Sequence, residues 1–408
     1  MEKKYSLVYS ITSFFVFLAI VFIPFPFHLL DFRQDVTDAV FGSLIGWTAR
    51  SLFHIPLKST LVYSDSVSMY ILVLILFLLS IILAIVFSRT GRLRSWQHRF
   101  FVVVRIVGVY YLFLTLFKYG LDKVFKTQFY LPEPNTLYTP LGQVDKDLLF
   151  WSSMGTSRFY NICTGLAEVL AAMLMLFRRT RMSGLLLSAL IMIQVSAMNF
   201  GFDISVKLFS LFLLFLSFYL MHPYFRVMSA FLFGIGKIPS DPLPAEPVTK
   251  QRRFGTIFLQ FLVPGLLMLE AFYPYIRSGN FNDDNASRPY LHGAYEVTEM
   301  INGGDTLSPS AFPVRRFFIH RNGYLIFQDR QDRMKDYNFS YDTELYKYVL
   351  TDYRQKKTEV DISYRLSDSL LTLQYLQEGR QVILKGRGLN WRQLPTLRRS
   401  FHWTVDEY

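Results

Sequence analysis

Blocks of about 20 mostly apolar residues recur along the first two thirds of this chain, and they constrain the fold more than any other feature. The blocks fall at roughly 7–30, 67–87, 100–121, 157–177, 183–201, 203–222 and 255–275. A run of that length matches the hydrocarbon thickness of a bilayer when coiled as an α-helix. The 408-residue chain is 51% hydrophobic and 17% aromatic, and only 18% charged. Soluble domains carry about 25% charged residues. The blocks therefore read as seven transmembrane helices. The first follows "MEKK", but bulky "FIPFPFHLL" offers no small-residue cleavage site, so an uncleaved helix is expected.

The net charge of +12 is unevenly placed. Residues 1–277 hold 25 Lys+Arg against 14 Asp+Glu, whereas residues 278–408 hold 18 against 17. The excess sits in connections at alternate ends of the apolar blocks. These are Lys3 and Lys4, "SRTGRLRSWQHR" (88–99), "RRTR" (178–181), and Arg226, Lys237, Lys250, Arg252 and Arg253. Positive loops stay in the cytoplasm. The N-terminus is thus expected in the cytoplasm and the C-terminal region outside it, in a multi-pass protein of a bacterial inner membrane. The excess belongs to the apolar half, where it sets topology, and the polar half has no basic stripe with aromatic interleaving, so nucleic-acid binding is not expected.

The connections differ in kind. "DAVFGSLIGWTARSLFHI" within residues 31–66 has helical apolar spacing and suggests an interfacial helix on the outer surface. Residues 122–156 are rich in Pro, Tyr and Trp, and are expected to fold over the outer mouth of the bundle or to serve as an interfacial loop with aromatic anchors. "IPSDPLPAEPVTKQRR" (238–253) reads as a cytoplasmic linker. After Tyr275 the pattern changes to alternating apolar and polar residues. Asn322-Gly323 between two such runs is a hairpin signal. Seven to nine short antiparallel strands in a sandwich or barrel are expected, with one helix near 341–352. "GRGLNW" (386–391) reads as a strand-end turn. "SFHWTVDEY", with His402 and Trp403, reads as a core strand, a ligand site being the alternative.

The fold class expected is an α-helical transmembrane bundle followed by a small antiparallel all-β extracytoplasmic domain. Its parts are a two-span region (1–99), a four-helix core (100–222), a linker (223–254), a last transmembrane helix (255–277) and a β-rich domain (278–408).

Charged groups within a bilayer are costly and usually face a partner or a cavity. The set here is Arg105, Lys118, Glu168, Gln194, Asn199, Asp203 and Lys207. Glu168, in "NICTGLAEVLAAMLMLFRRTR", lies near the middle of its block. It either pairs with Arg105 and locks two helices, or lines a pocket that binds a small molecule or relays a proton. Gln194 and Asn199 suit interhelical hydrogen bonding. Asp203 and Lys207 are spaced to pair along one helix face. The lone cysteine, Cys163, excludes disulfides and cysteine-rich metal sites and reads as a small packing residue. His28 and His222 lie at block ends, where amphipathic anchoring is the ordinary role. No nucleotide, hydrolase or zinc-protease motif occurs, so no cofactor, metal or catalytic residue is assigned.

"RIVGVYYLFLTLFKYGLDKVF" (Arg105 to Phe125) and "GLAEVLAAMLMLF" (Gly165 to Phe177) resemble the first two helices of the DoxX-like membrane family, and "MNFGFDISVKLFS" (Met198 to Ser210) resembles a segment of its longer bacterial members. The resemblance covers about residues 100–222. The chain departs from it in Ala171-Ala172, where small glycines are common, and in its extra spans. It implies a four-helix core with Arg105, Lys118 and Glu168 as the matching polar positions. It also implies a non-catalytic component of a redox or quinone-linked system, with a quinone or lipid as ligand and an oxidoreductase as partner. The alternatives are an assembly protein docking a periplasmic partner through its β domain and, less readily, a transporter.

Overall fold

The computed structural model describes residues 5–24, 32–234, 250–344 and 347–398. The end of the first apolar block, most of the proline-rich linker, and His402 and Trp403 lie outside them. The chain divides into two compact units, one of residues 1–128 and 159–281, the other of residues 129–158 and 282–408.

The first unit is helical. Its elements are α1 (Leu7–Phe22), α2 (Phe32–Ser51), α3 (Val67–Arg89) and α4 (Gly91–Val124). After α5 (Pro134–Leu137) and α6 (Lys146–Thr156), which belong to the other unit, it resumes with α7 (Arg158–Leu176), α8 (Arg181–Gly201), α9 (Lys207–Met221), α10 (Phe225–Phe233) and α11 (Lys250–Ser278). Among the described residues, α3, α4, α7, α8 and α9 with its following turn are long and apolar enough to cross a membrane. Helix α1 is apolar but 16 residues long. The region expected to hold an interfacial helix forms α2. Its buried face carries Phe41, Ile45 and Ala49, while Val40, Leu44 and Trp47 are exposed. The core is built by α4, whose Leu112, Phe113 and Leu116 are fully enclosed, against Leu72 and Leu76 of α3 and Leu213 and Leu216 of α9.

Small residues set the helix contacts. A Cβ on Gly120 of α4 would lie 2.8 Å from the Gly165 carbonyl oxygen of α7, and one on Gly165 would lie 2.6 Å from that of Gly120. Gly184 of α8 meets the backbone of Ala171 and Met175 of α7 equally closely. Ser188 and Ser217 join α8 to α9 by a buried hydrogen bond of 2.9 Å. Close backbone approach through small residues, with hydroxyls bridging, is how helices associate in lipid, where apolar burial supplies no drive.

The second unit is an antiparallel β-barrel. Strands β1 (Gly293–Asn302) and β3 (Arg316–Ile319) to β9 (Arg380–Leu389) follow one another as a meander, and β9 returns to pair with β1. The intermediate strands are β4 (Tyr324–Gln328), β5 (Met334–Asp342), β6 (Lys347–Thr351), β7 (Lys357–Arg365) and β8 (Leu370–Gln377), while β2 (Asp305–Thr306) is a short flap on β1. Closure removes free sheet edges. The Asn322-Gly323 turn joins β3 to β4 as expected, with Gly323 at φ +73° and the His320 N–H donating to the Tyr324 carbonyl. The helix expected near 341–352 is not formed: Tyr341 and Asp342 end β5, and residues 347–351 are β6, pairing Tyr341 with Tyr348. "GRGLNW" is not a turn at its start, because Gly386 lies within β9. A Cβ there would come within 2.3 Å of the Phe317 ring.

The barrel interior is filled. Tyr295, Phe317, Leu325, Leu350, Leu371 and Leu384 pack there, and the Tyr295 and Phe317 rings stack at 5.1 Å. Eight strands leave room for side chains or for one small ligand, and here side chains take the space. Strands β3 and β4 are apolar on both faces. Phe318 and Ile326 point outward, where Leu131, Leu137 and Tyr138 cover them together with Trp391 and Leu394. Of residues 122–156, expected over the mouth of the helical bundle or as an interfacial loop, those from 129 onward are part of the barrel unit.

Candidate functional site

Glu168 is 3% exposed on α7. Both its oxygens accept from the Lys123 ammonium of α4, at 2.9 and 2.8 Å. Two features bring them together. The glycine contact at Gly120 and Gly165 draws the helices close, and α4 runs on to Val124, so Lys123 stands on the helix. By apolar length alone the span ends at 121, which leaves Lys123 in the following loop. Arg105 is not the partner. It lies 18 residues from Lys123 on the same helix, about 27 Å along the axis. Its charge acts instead on Tyr5 and Tyr219, and its buried Nε has no hydrogen-bond partner among the described residues.

A second carboxylate stands beside the pair. Asp122 accepts from Lys118 at 3.1 Å, from the Thr127 hydroxyl at 3.0 Å and from the Tyr275 hydroxyl of α11. Lys126, 1% exposed, follows in a left-handed turn at φ +56°. Tyr119 places its ring 5.7 Å from the Lys123 ammonium. Lys118 and Glu168 are thus members of one polar cluster at the C-terminal end of α4, whose other members are Asp122, Lys123 and Tyr275. Glu270 of α11 is also buried. Sequence reasoning missed these partners. The signal was present in the turn-by-turn spacing of Lys118, Asp122 and Lys126.

The remaining expected residues lie elsewhere. Asp203 and Lys207 pair at 2.7 Å, in line with their spacing. Asp65, unnoticed in the sequence, accepts from the Lys207 and Leu208 backbone N–H groups at 2.8 and 3.0 Å. It therefore caps α9, whose own N-cap residue is Val206. Asn199 is buried and donates to the Val206 carbonyl. Gln194 is exposed on α8, and Cys163 is exposed on α7 rather than packed inside.

The barrel unit holds a second buried charged group. Glu133, just before α5, accepts from His292 Nε2 at 2.8 Å and from the Arg321 backbone N–H at 3.1 Å. Burial alone would raise its pKa, but the bond from His292, the nearby His292 and His320 and the Arg321 amide together hold it below the usual glutamate range. Asp283, 3% exposed, receives both Arg321 nitrogens at 2.8 and 2.7 Å and Arg288 at 2.9 Å. These arginines outweigh its burial and keep its pKa low. Arg321 also stacks 4.4 Å over Tyr130. Among the described residues no group of three or more His, Cys, Asp or Glu is placed to hold a metal ion.

In chemical terms, the Lys123–Glu168 pair locks two helices through a neutralised charge pair, the Glu133 contacts tie residues 129–143 to the barrel, and Asp283 holds Arg288 and Arg321 in place. No protein-family model matches the chain, and no curated protein or solved structure matches it.

Proposed function

We propose that the protein is a multi-pass bacterial inner-membrane protein in which a seven-helix bundle anchors a β-barrel unit outside the cytoplasm, where that unit docks a partner protein. The observation that carries this reading is that both interiors are occupied. Lys123 takes both Glu168 oxygens, and stacked aromatic and aliphatic side chains fill the barrel. Each half is thus built as a scaffold, and the surfaces are left for recognition. Chain connectivity supports the orientation. The barrel unit joins the helical unit after α4, before α7 and after α11. The positive loops assign all three of those helix ends to the outer side.

Cysteine accessibility tests the topology. In a Cys163→Ser background, an impermeant maleimide added to spheroplasts labels Ser367→Cys in the β7–β8 turn and spares Ser95→Cys. The reverse pattern sinks the proposal. The scaffold role predicts that truncation after Ser278 abolishes function in cells while Glu168→Gln retains it.

The DoxX-like resemblance supports a second reading, a redox or quinone-linked component that holds an amphipathic molecule near Glu168. Its structural support is the cluster itself, since each charge in a span costs at least about 2.5–3.5 kcal/mol on insertion scales. Native mass spectrometry of wild type beside Glu168→Gln separates the readings. A quinone- or lipid-sized adduct lost in the variant favours the second.

A further inference from the structure

The strap formed by residues 129–143 is attached to the barrel in two ways. Leu131, Leu137 and Tyr138 cover the outward Phe318 and Ile326, and Gln328 donates to the Tyr138 carbonyl at 3.0 Å. At the other end of β3 and β4, Glu133 is held by His292 and by the first residues of the β3–β4 turn. Both side chains of the Glu133–His292 contact are 5% exposed or less.

From these contacts we infer that Glu133, His292 and His320 form an acid-sensitive latch, which releases the strap and uncovers the apolar face of β3 and β4. His320 is neutral in the closed form: its Nδ1 accepts the Asn322 N–H at 3.1 Å, which a protonated ring cannot do. The groups facing it are Glu133 from the strap, His292 from the start of β1 and Arg321 beside it, with the Tyr324 ring of β4 6.1 Å away. Burial is the largest influence on His320 and lowers its pKa; Glu133 opposes this, and the His292 and Arg321 charges add to it. Glu133 itself is faced by His292, His320, the Arg321 amide and Tyr130.

The sign follows from proton counting. The closed strap binds fewer protons at His320 than the open strap does. Closure is therefore favoured above the ordinary histidine value near pH 6.5, and is weakened as pH falls from there toward the lowered folded value. Glu133 remains a carboxylate over this range, so His320 sets the release. One histidine can shift the open-to-closed ratio by at most about thirtyfold between pH 6.5 and 5.0.

Hydrogen–deuterium exchange on the full chain in lipid nanodiscs tests the latch, with rates corrected for intrinsic exchange at each pH. Between pH 7.5 and 5.0, amides of residues 133–143 are expected to lose about tenfold or more of their protection, while β8 keeps its own. His320→Asn retains an acceptor at the δ position without titrating and should flatten the response, as should its combination with His292→Gln, which keeps the donor to Glu133. Unchanged strap protection in wild type overturns the latch. So does parallel loss in strap and β8, or a pH response that survives in the double variant.

Discussion

Replacing Lys123 by methionine leaves Glu168 in place with no counter-charge. The two side chains are 8% and 4% exposed, so water cannot take over the lost contacts. Breaking a buried pair from one side costs about 3–5 kcal/mol, whereas replacing both partners by apolar groups of similar volume is often neutral. Lys123→Met should therefore destabilise the helical unit by about 3–5 kcal/mol. Lys123→Met combined with Glu168→Leu should recover most of that loss, giving a coupling energy of at least about 2 kcal/mol. The single Glu168→Leu variant strands the ammonium and should resemble Lys123→Met. Arg105→Met, which leaves the pair intact, should cost under about 1 kcal/mol. Equilibrium unfolding in mixed micelles, with the SDS fraction as denaturant, reads all four variants. Additive single effects would refute the pairing, and so would an Arg105→Met loss as large as that of Lys123→Met.

Three further outcomes follow from other contacts. Gly386→Ala drives a methyl group into the Phe317 ring and should cost the barrel about 1–3 kcal/mol, read as reduced exchange protection of β9 against an unchanged α4. Asp65→Ala removes the cap of α9 and should cost about 0.5–2 kcal/mol in the same micelle titration, with Asp65→Asn recovering part of it. Asp283 has its pKa depressed by Arg321 and Arg288, so its contribution is complete above the ordinary aspartate value near pH 4 and is lost as pH falls through the lowered value. Asp283→Asn should flatten that acid limb in an exchange-monitored titration of the barrel.

Much of the architecture was legible in the sequence because length and period report directly on burial. Helices stand at each of the seven apolar blocks, and the Asn322-Gly323 turn sits between β3 and β4. What escaped was decided by non-local packing. Lys123 looked like a loop residue because the apolar run ends before it, yet α4 continues, and a partner 45 residues away makes its burial tolerable. Residues 341–352 looked helical, but Tyr341 and Asp342 belong to β5, and pairing with β5 and β7 makes a strand of 347–351. The place of the strap was half visible. "RFFI" and "YLIF" put apolar residues on both faces of adjacent strands, which implies a second cover outside the barrel. Nothing local said that residues 131–138 supply it.

The barrel unit is assembled from two pieces of chain separated by α7 to α11, and this has a consequence for biosynthesis. The strap leaves the ribosome well before its binding face exists, since β9 closes the barrel only at Leu389, 231 residues after Arg158. At about 5–20 residues per second, synthesis of the intervening chain takes roughly 12–46 s. Throughout that interval Leu131, Leu137 and Tyr138 are tethered between two inserted helices with no partner. The apolar face of the strap therefore stays without its covering strands until the last of them arrives.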